Sequence, residues 1–344
     1  MRKNLENKEL MNIFQLFFDE LPLLYEIKNT SRSDTDFREA IIAEWSSGEK
    51  YVIKLSDNDF TLPERIAIWK RCADEYRKLG YYCPAIFPSK QGDFPRVTYN
   101  GHNCVVYVEE FCKYTIVEER CQGDSKEKTP FDIKWADAAW MMTAKVAAKQ
   151  FDFCNYPSAY CLFETFCPSD ETDEVLENAM EWKEYADKLP ERFQTQIQRI
   201  WQRWMRNRNE LEQIYYKLPT SVFQADLNST NLLVDDNGEF VGVFDFNLCG
   251  RDVFLNYLFR EIHWQYDEKY LLETLKKISR VYCFSALEKQ AAPLLYRCLK
   301  PLWYTEIETL KAAATDETAI QTCLDRTEEL QTKEIDFAMY MNAN

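Results

Sequence analysis

Residues 223–252 read FQADLNSTNLLVDDNGEFVGVFDFNLCGRD, and three of their side chains, Asp226, Asn231 and Asp245, have the types and spacing to hold a cation and orient a hydroxyl. Leu232, Leu233 and Val234 form an apolar strand, residues 235–238 a turn, and residues 240–244 a return strand. Asn237-Gly238 is the favoured two-residue hairpin turn, because both positions can take positive φ. With that loop, Asp236 faces Glu239, Asn231 falls opposite Phe244, and Asp245 stands one step past Asn231 at the same end of the ribbon. An amide oxygen and a carboxylate then converge where the hairpin opens, with Asp226 just upstream. This donor set suits Mg²⁺ on a nucleotide, since that cation takes one or two protein carboxylates and fills its shell with water and phosphate oxygens.

Asp and Asn are also common in turns and caps, so the spacing alone says little. The weight comes from the whole order: Asp226, Asn231, apolar strand, turn, apolar strand, Asp245-Phe246, then Gly250-Arg251-Asp252. This order resembles the catalytic segment of the aminoglycoside phosphotransferase and choline kinase family, small-molecule kinases with a protein-kinase-like fold. The resemblance implies that Asp226 orients the acceptor hydroxyl and takes its proton, and that Asn231 and Asp245 bind the metal. Three departures stand out. Gln224-Ala225 replaces the usual His-Gly, Val253 replaces a proline, and Asn256 replaces a later aspartate. The segment is that of a divergent branch.

Such a site needs a cation against the phosphates, held on a rigid element. Residues 38–45 alternate, Ser46-Ser47-Gly48 makes a turn, and residues 51–55 form a β-rich strand with Lys54 inside it. A lysine there can simply blunt a sheet edge. By the resemblance, Lys54 contacts the α/β-phosphates. Residues 62–79 predict a helix with Pro63 in its first turn and Gly80 at its end. It carries Glu64 and Glu75, and Glu75 is the favoured partner of Lys54. The loop that should cover the phosphates, residues 29–34, is polar and lacks glycine, so Ser31 and Ser33 are the candidates there. Residues 103–111 form a strand that would run into a hinge, whose main-chain groups, at Glu110 and Cys112 among others, would bind adenine.

The rest is largely helical, over residues 135–149, 173–189, 191–218, 271–282 and 287–314. The expected architecture is a two-lobed, protein-kinase-like α+β fold. Residues 1–111 would form a small β-rich nucleotide-binding lobe, and residues 112–344 a large, mostly helical lobe with the catalytic hairpin and acceptor site.

Composition narrows the function classes. At 344 residues with 46% hydrophobic and 15% aromatic side chains, the chain folds into a globular structure with ample core. A net charge of −15, from 42 basic and 57 acidic residues, repels nucleic acid and anionic membranes. A nucleotide would therefore need a local basic or main-chain cradle. No apolar run reaches the ~18 residues of a membrane span, and residues 1–21 predict an amphipathic helix, not a cleaved leader. The 12 cysteines are scattered without a C-x-x-C pair and sit among apolar neighbours, which predicts reduced thiols and a cytoplasmic location.

The implied reaction is transfer of the γ-phosphoryl of ATP, with Mg²⁺, to a hydroxyl of a small molecule, by a monomer or homodimer. The alternative is a kinase-fold module that binds a nucleotide or metabolite without turnover. A cationic acceptor, an aminoglycoside or an amino alcohol, would suit Glu261, Asp267 and Glu268, beside Trp264 and Tyr266. The carboxylates of residues 170–187 are spaced as a solvated helix face. His102 and His263 lack ligand-spaced partners and are expected to be structural.

Overall fold

The computed structural model describes residues 7–33, 35–121, 133–263 and 267–342. Asp34 of the polar loop, and Trp264 and Tyr266, lie outside them. Helix α1 (Lys8–Phe17) precedes strands β1 (Leu24–Asn29), β2 (Phe37–Glu44) and β3 (Lys50–Asp57), then helix α2 (Pro63–Lys78). Strands β4 (Ile86–Phe87), β5 (Arg96–Tyr99), β6 (His102–Glu110) and β7 (Thr115–Ile116) follow, with the short helix α3 (Val117–Cys121). Three helices come next, α4 (Ile133–Lys149), α5 (Glu174–Ala186) and α6 (Glu191–Tyr215). Strands β8 (Thr220–Phe223), β9 (Leu232–Val234), β10 (Phe240–Val243) and β11 (Gly250–Val253) lead into α7 (Phe254–His263). The chain closes with α8 (Glu268–Ile278), α9 (Ala286–Leu299), α10 (Tyr304–Ala313), α11 (Glu317–Thr332) and α12 (Phe337–Tyr340). The fold is mixed, an antiparallel N-terminal sheet followed by a mostly helical chain.

Two compact units share these elements. The first holds the described residues of Met1–Trp135 with Cys167–Ser169 and Gln224–Cys249. The second holds those of Ala136–Phe166, Asp170–Phe223 and Gly250–Asn344.

In the first unit an antiparallel sheet runs β1-β2-β3-β6-β4, with β5 also paired to β6. The period-two geometry of strands sorts its side chains. Ile41 and Ala43 of β2, Ile53 and Leu55 of β3, and Val106 and Val108 of β6 join one buried cluster, which Leu10, Ile13 and Phe14 of α1 complete. Fully burying aliphatic or aromatic side chains of this size contributes ~1.5–3 kcal/mol each. The same alternation turns Arg38, Ala40, Lys54, Ser56 and Tyr107 to the opposite face. Trp69 of α2 packs edge-on against Tyr107 there, with ring centroids 5.9 Å apart.

The turn expected at residues 46–48 forms, with Gly48 at φ +86° and its amide on the Trp45 carbonyl at 3.0 Å. Gly80, at φ +92°, ends α2, and the Tyr81 amide reaches back to the Tyr76 carbonyl at 3.1 Å. The next residue, Tyr82, bridges to Gly242 of β10. That strand lies in a second sheet of order β10-β9-β7.

The second unit packs helices by their apolar stripes. On α6, Phe193, Ile197, Ile200, Trp204, Arg208, Leu211 and Tyr215 are buried at spacings of three and four. Trp204 Nε1 donates to the Cys298 carbonyl on α9 at 3.0 Å. The run expected over residues 287–314 is two helices, α9 and α10, parted at Pro301. Proline has no N–H to continue the ladder and its ring clashes with the preceding turn. Strands β8 and β11 pair antiparallel, and the buried Asp252 accepts from Ser158 Oγ at 2.8 Å, the Val253 amide at 2.7 Å and Asn256 Nδ2 at 3.0 Å. Burial pushes the Asp252 carboxyl above the usual range despite these bonds.

Among the described residues no helix is long and apolar enough to cross a membrane.

Candidate active site

The hairpin forms, but its turn differs from the expected one. Asp235 and Glu239 close the loop, with Asp235 N to Glu239 O at 3.0 Å and Gly238 N to Asp235 O at 2.9 Å. Only Gly238 takes positive φ, at +77°, so a two-residue type I′ turn, which needs two such residues, is ruled out. Asp235 Oδ1 instead accepts from the Asn237 and Glu239 amides, at 2.9 Å each. A bulge between Phe240 and Gly242 then shifts the register by one, so Leu233 faces Gly242 and Leu232 faces Val243. The shift restores the expected pairing at the open end, where the Phe244 amide reaches the Asn231 carbonyl at 3.2 Å.

Asp226 and Asn231 meet directly. Asn231 Nδ2 donates to Asp226 Oδ2 and to the Asp226 carbonyl, at 2.9 Å each. Asn228 Nδ2 donates to Asp226 Oδ1 at 2.7 Å. Because Asn231 commits its NH₂ to Asp226, its amide oxygen is left as the acceptor a hard cation takes. Gln224 ties this loop to the residues after β10. Its Nε2 donates to the carbonyls of Phe244 at 2.9 Å and Asp245 at 2.8 Å, and its Oε1 accepts the Asp226 amide at 2.7 Å. Ala225 is held at φ +76° and Asp245 at φ +59°, the first in a conformation that costs a residue with a Cβ ~1–3 kcal/mol. The replacement of His-Gly by Gln224-Ala225 thus fits a side-chain bridge that sequence alone did not signal.

Lys54 completes the cluster. Its Nζ lies 2.9 Å from Glu109 Oε2 and 3.6 Å from Asp245 Oδ1. Burial alone would lower the Lys54 ammonium, but the charges of Glu109 and Asp245 hold it well above the ordinary lysine value. Burial, with the like charge of Asp245, raises the Glu109 carboxyl even against Lys54. Glu75 is not the partner of Lys54. It bonds Lys78 on its own helix at 2.8 Å, while α2 buries Ile66, Trp69 and Ala73. Register explains the exchange. Tyr107 pairs with Lys54 across the sheet, and Glu109 stands two residues on, on the same face. That alternation was readable in NCVVYVEEF and was the missed signal.

Lys54 and Asp245 also line a pocket of about 210 Å³ with Thr30, Arg32, Arg38, Ser56, Phe60, Thr61 and Asn247. Of the polar loop, Thr30 and Arg32 line it, whereas the expected Ser31 and Ser33 do not. Ser31 Oγ accepts the Arg38 amide at 2.9 Å, and Ser33 bridges to Asp36. Successive side chains of an extended segment alternate sides. Glu110 gives its amide to Ala85 O at 2.8 Å, and its carboxylate accepts from Ala85 N at 3.1 Å and Tyr82 Oη at 3.2 Å. It therefore serves the sheet edge and has no amide left for adenine. Cys112 lies two residues further, its thiol 3.4 Å from the Tyr114 carbonyl.

The acidic residues expected at the acceptor have local partners in the second unit. Glu261 is 2% exposed and accepts from Arg260 Nη1 at 2.6 Å, so it presents no open carboxylate to a cation from solvent. Asp267 caps α8 through the Tyr270 amide, and Glu268 pairs with Lys333 at 2.7 Å. His102 stacks on Phe37 with centroids 4.0 Å apart, a structural role.

Among the described residues no group of three or more His, Cys, Asp or Glu side chains could hold a metal. A Mg²⁺ site asks for less. One carboxylate, Asp245, and one oriented amide oxygen, Asn231, are a fitting donor set for a cation that shares its shell with phosphate and water.

Comparison with known proteins identifies the family and the fold. The model of a phosphotransferase enzyme family matches residues 32–256. No curated protein sequence matches the chain. Among solved structures, an aminoglycoside phosphotransferase from Alicyclobacillus acidocaldarius aligns over 99% of this chain and 96% of its own, at 11% identity and a TM-score of 0.50. An amicoumacin kinase in complex with AMP-PNP, Ca²⁺ and Ami covers 97% of each chain, at 14% identity and a TM-score of 0.54. A microcompartment-associated aminopropanol kinase covers 93% of this chain and 95% of its own, at 12% identity and a TM-score of 0.50. At these identities the likeness is one of fold.

Proposed function

Since this chain belongs to the phosphotransferase enzyme family, we propose that it transfers the γ-phosphoryl group of ATP to a hydroxyl of a small, amine-bearing molecule. One observation carries the reading: Gln224 binds the Asp226 amide and the Asp245 carbonyl at once, while Lys54 reaches the Asp245 carboxylate. A base, two metal-type oxygens and a cation are joined by a single hydrogen-bonded and ionic network.

Phosphoryl transfer asks a protein for positioning and charge neutralisation more than for covalent work. Asp226 orients the acceptor hydroxyl and takes its proton as the new O–P bond forms and the bond from the γ-phosphorus to the bridging oxygen breaks, releasing ADP. Asn231 fixes the Asp226 carboxylate through Nδ2 and offers its oxygen, with Asp245, to a divalent cation. That cation, when bound, neutralises phosphate oxygens as charge develops on them. Lys54 adds a second positive charge, and Glu109 keeps the ammonium aimed. Main-chain groups at Cys112 are left for the base of the nucleotide. The acceptor class is drawn from the fold neighbours, which include aminoglycoside and aminopropanol kinases.

Two measurements test this. Mg-ATP should raise the melting temperature of the protein, and product analysis over a panel of amino alcohols, aminoglycosides and amino sugars should find a phosphate monoester. Stabilisation by Mg-ATP without ester formation on any acceptor would instead favour a binding module.

A further inference from the structure

The glycine-free loop leaves a chemical gap. A triphosphate bound to a chain of net charge −15 needs donors that main-chain amides of a glycine-rich turn would otherwise supply. The pocket beside Lys54 is lined by two arginines, Arg32 and Arg38. We propose that Arg38, with Arg32 beside it, grips the terminal phosphates of the nucleotide in place of a glycine-rich loop. This rests on the kinase reading above.

Register gives Arg38 its position. On β2, Arg38 pairs with Ser56 of β3, and Ala40 pairs with Lys54. Arg38 and Lys54 therefore share a face, about 7 Å apart along the strands and about 5 Å across them. One anionic chain can touch both.

The guanidinium is already aimed. Arg38 Nε and Nη2 donate to Asp36 Oδ1 and Oδ2 at 2.7 and 2.6 Å. Asn58 Nδ2 braces Asp36 at 2.9 Å, and Asn58 Oδ1 accepts the Thr61 amide at 2.7 Å. The Arg38 plane also lies over the Phe60 ring, 4.9 Å from its centroid. Nη1 has no protein acceptor among the described residues. The fork of an arginine matches phosphate oxygens in pairs, which a lysine cannot do. Asp36 offsets part of the Arg38 charge and Arg32, on the same pocket, adds to it, while the two carboxylates of the pocket wall are engaged elsewhere. Glu39 is turned to the buried Tyr99 hydroxyl at 3.0 Å, and Asp245 is shared with Lys54.

Titration calorimetry with Mg²⁺ and AMP-PNP, ADP or AMP distinguishes the outcomes. Arg38→Ala should weaken AMP-PNP binding by about tenfold or more while AMP binds as to wild type. Arg38→Lys, which keeps stem and charge and is safer for folding, should lose several-fold for AMP-PNP alone. Arg32→Ala should lower AMP-PNP affinity in the same sense. Asp36→Asn, which loosens the hold on the guanidinium, should keep the preference for AMP-PNP over AMP. Equal losses for AMP and AMP-PNP, or wild-type affinity for AMP-PNP in the Arg38 variants, would overturn the proposal and leave the kinase reading standing. A wild-type chain that binds none of the three nucleotides would overturn that reading, and this proposal with it.

Discussion

Gln224 and Asp245 are joined by a 2.8 Å hydrogen bond from the side-chain amide of the first to the main-chain carbonyl of the second. Gln224 is fully buried, so each of its bonds is made without water as an alternative partner. Gln224→Glu keeps the shape and removes only the donor, turning a carboxylate toward the carbonyls of Phe244 and Asp245. A buried polar group left facing a like partner costs ~1–3 kcal/mol, and more when charged. Urea unfolding at neutral pH should show Gln224→Glu less stable than Gln224→Ala. Equal stability of Gln224→Glu and wild type would mean that the bridge does not hold the two segments.

Local chemistry made much of this architecture legible. The strand alternation around Lys54, the Pro63 and Gly80 signals of α2 and the two hydrophobic runs of the hairpin each carry their own period or cap. The convergence of Asn231 with Phe244 was legible as well, although for an incomplete reason, because a wider turn and a bulge cancel each other. What escaped depends on packing between distant segments. Glu109 replaces Glu75 because a strand neighbour outreaches a helix residue, which only register can decide. Gln224 matters through carbonyl groups twenty residues away, and a carbonyl leaves no mark in a sequence. Glu261 looked like an open carboxylate, yet its neighbour Arg260 folds onto it.

Gly242 shows how closely the hairpin is held. A Cβ at this position would lie 1.8 Å from the Tyr82 carbonyl oxygen, against backbone that is itself paired to Val241 and Val243. Gly48, by contrast, has φ +86° but open space around it. Gly48→Ala should therefore cost ~1 kcal/mol, the usual penalty for positive φ. Gly242→Ala should cost several times more or prevent folding. Thermal melts of the two variants decide the matter, and a Gly242→Ala as mild as Gly48→Ala would contradict the Tyr82 contact.

A surface cluster on the helical unit supplies a pH dependence. Arg199 Nε and Nη2 bind Glu328 at 2.5 and 2.7 Å, and Arg203 adds a contact at 3.1 Å. The hydrogen bonds of Arg199 lead in depressing the Glu328 carboxyl to about 2, below its usual value of 4.5. A depressed acid stabilises the fold above its unfolded value, and that contribution is lost as pH falls through the folded one. Partial exposure limits the effect to ~0.5–1 kcal/mol. Glu328→Gln should thus be less stable than wild type at pH 7, with the gap closing between about pH 4.5 and pH 2. A gap independent of pH would mean that the contribution is packing, not charge.

The central claim is that Asp226 acts on the acceptor while Lys54, Asn231 and Asp245 serve the nucleotide. Loss of a general base typically lowers a rate by ~10²–10⁴. The direct measurement is single-turnover transfer of labelled γ-phosphate from Mg-ATP to the best acceptor, paired with nucleotide affinity, for wild type and Asp226→Ala. The account predicts that transfer falls by ~10²–10⁴ while Mg-ATP affinity stays near wild type. Transfer at the wild-type rate in Asp226→Ala would contradict it.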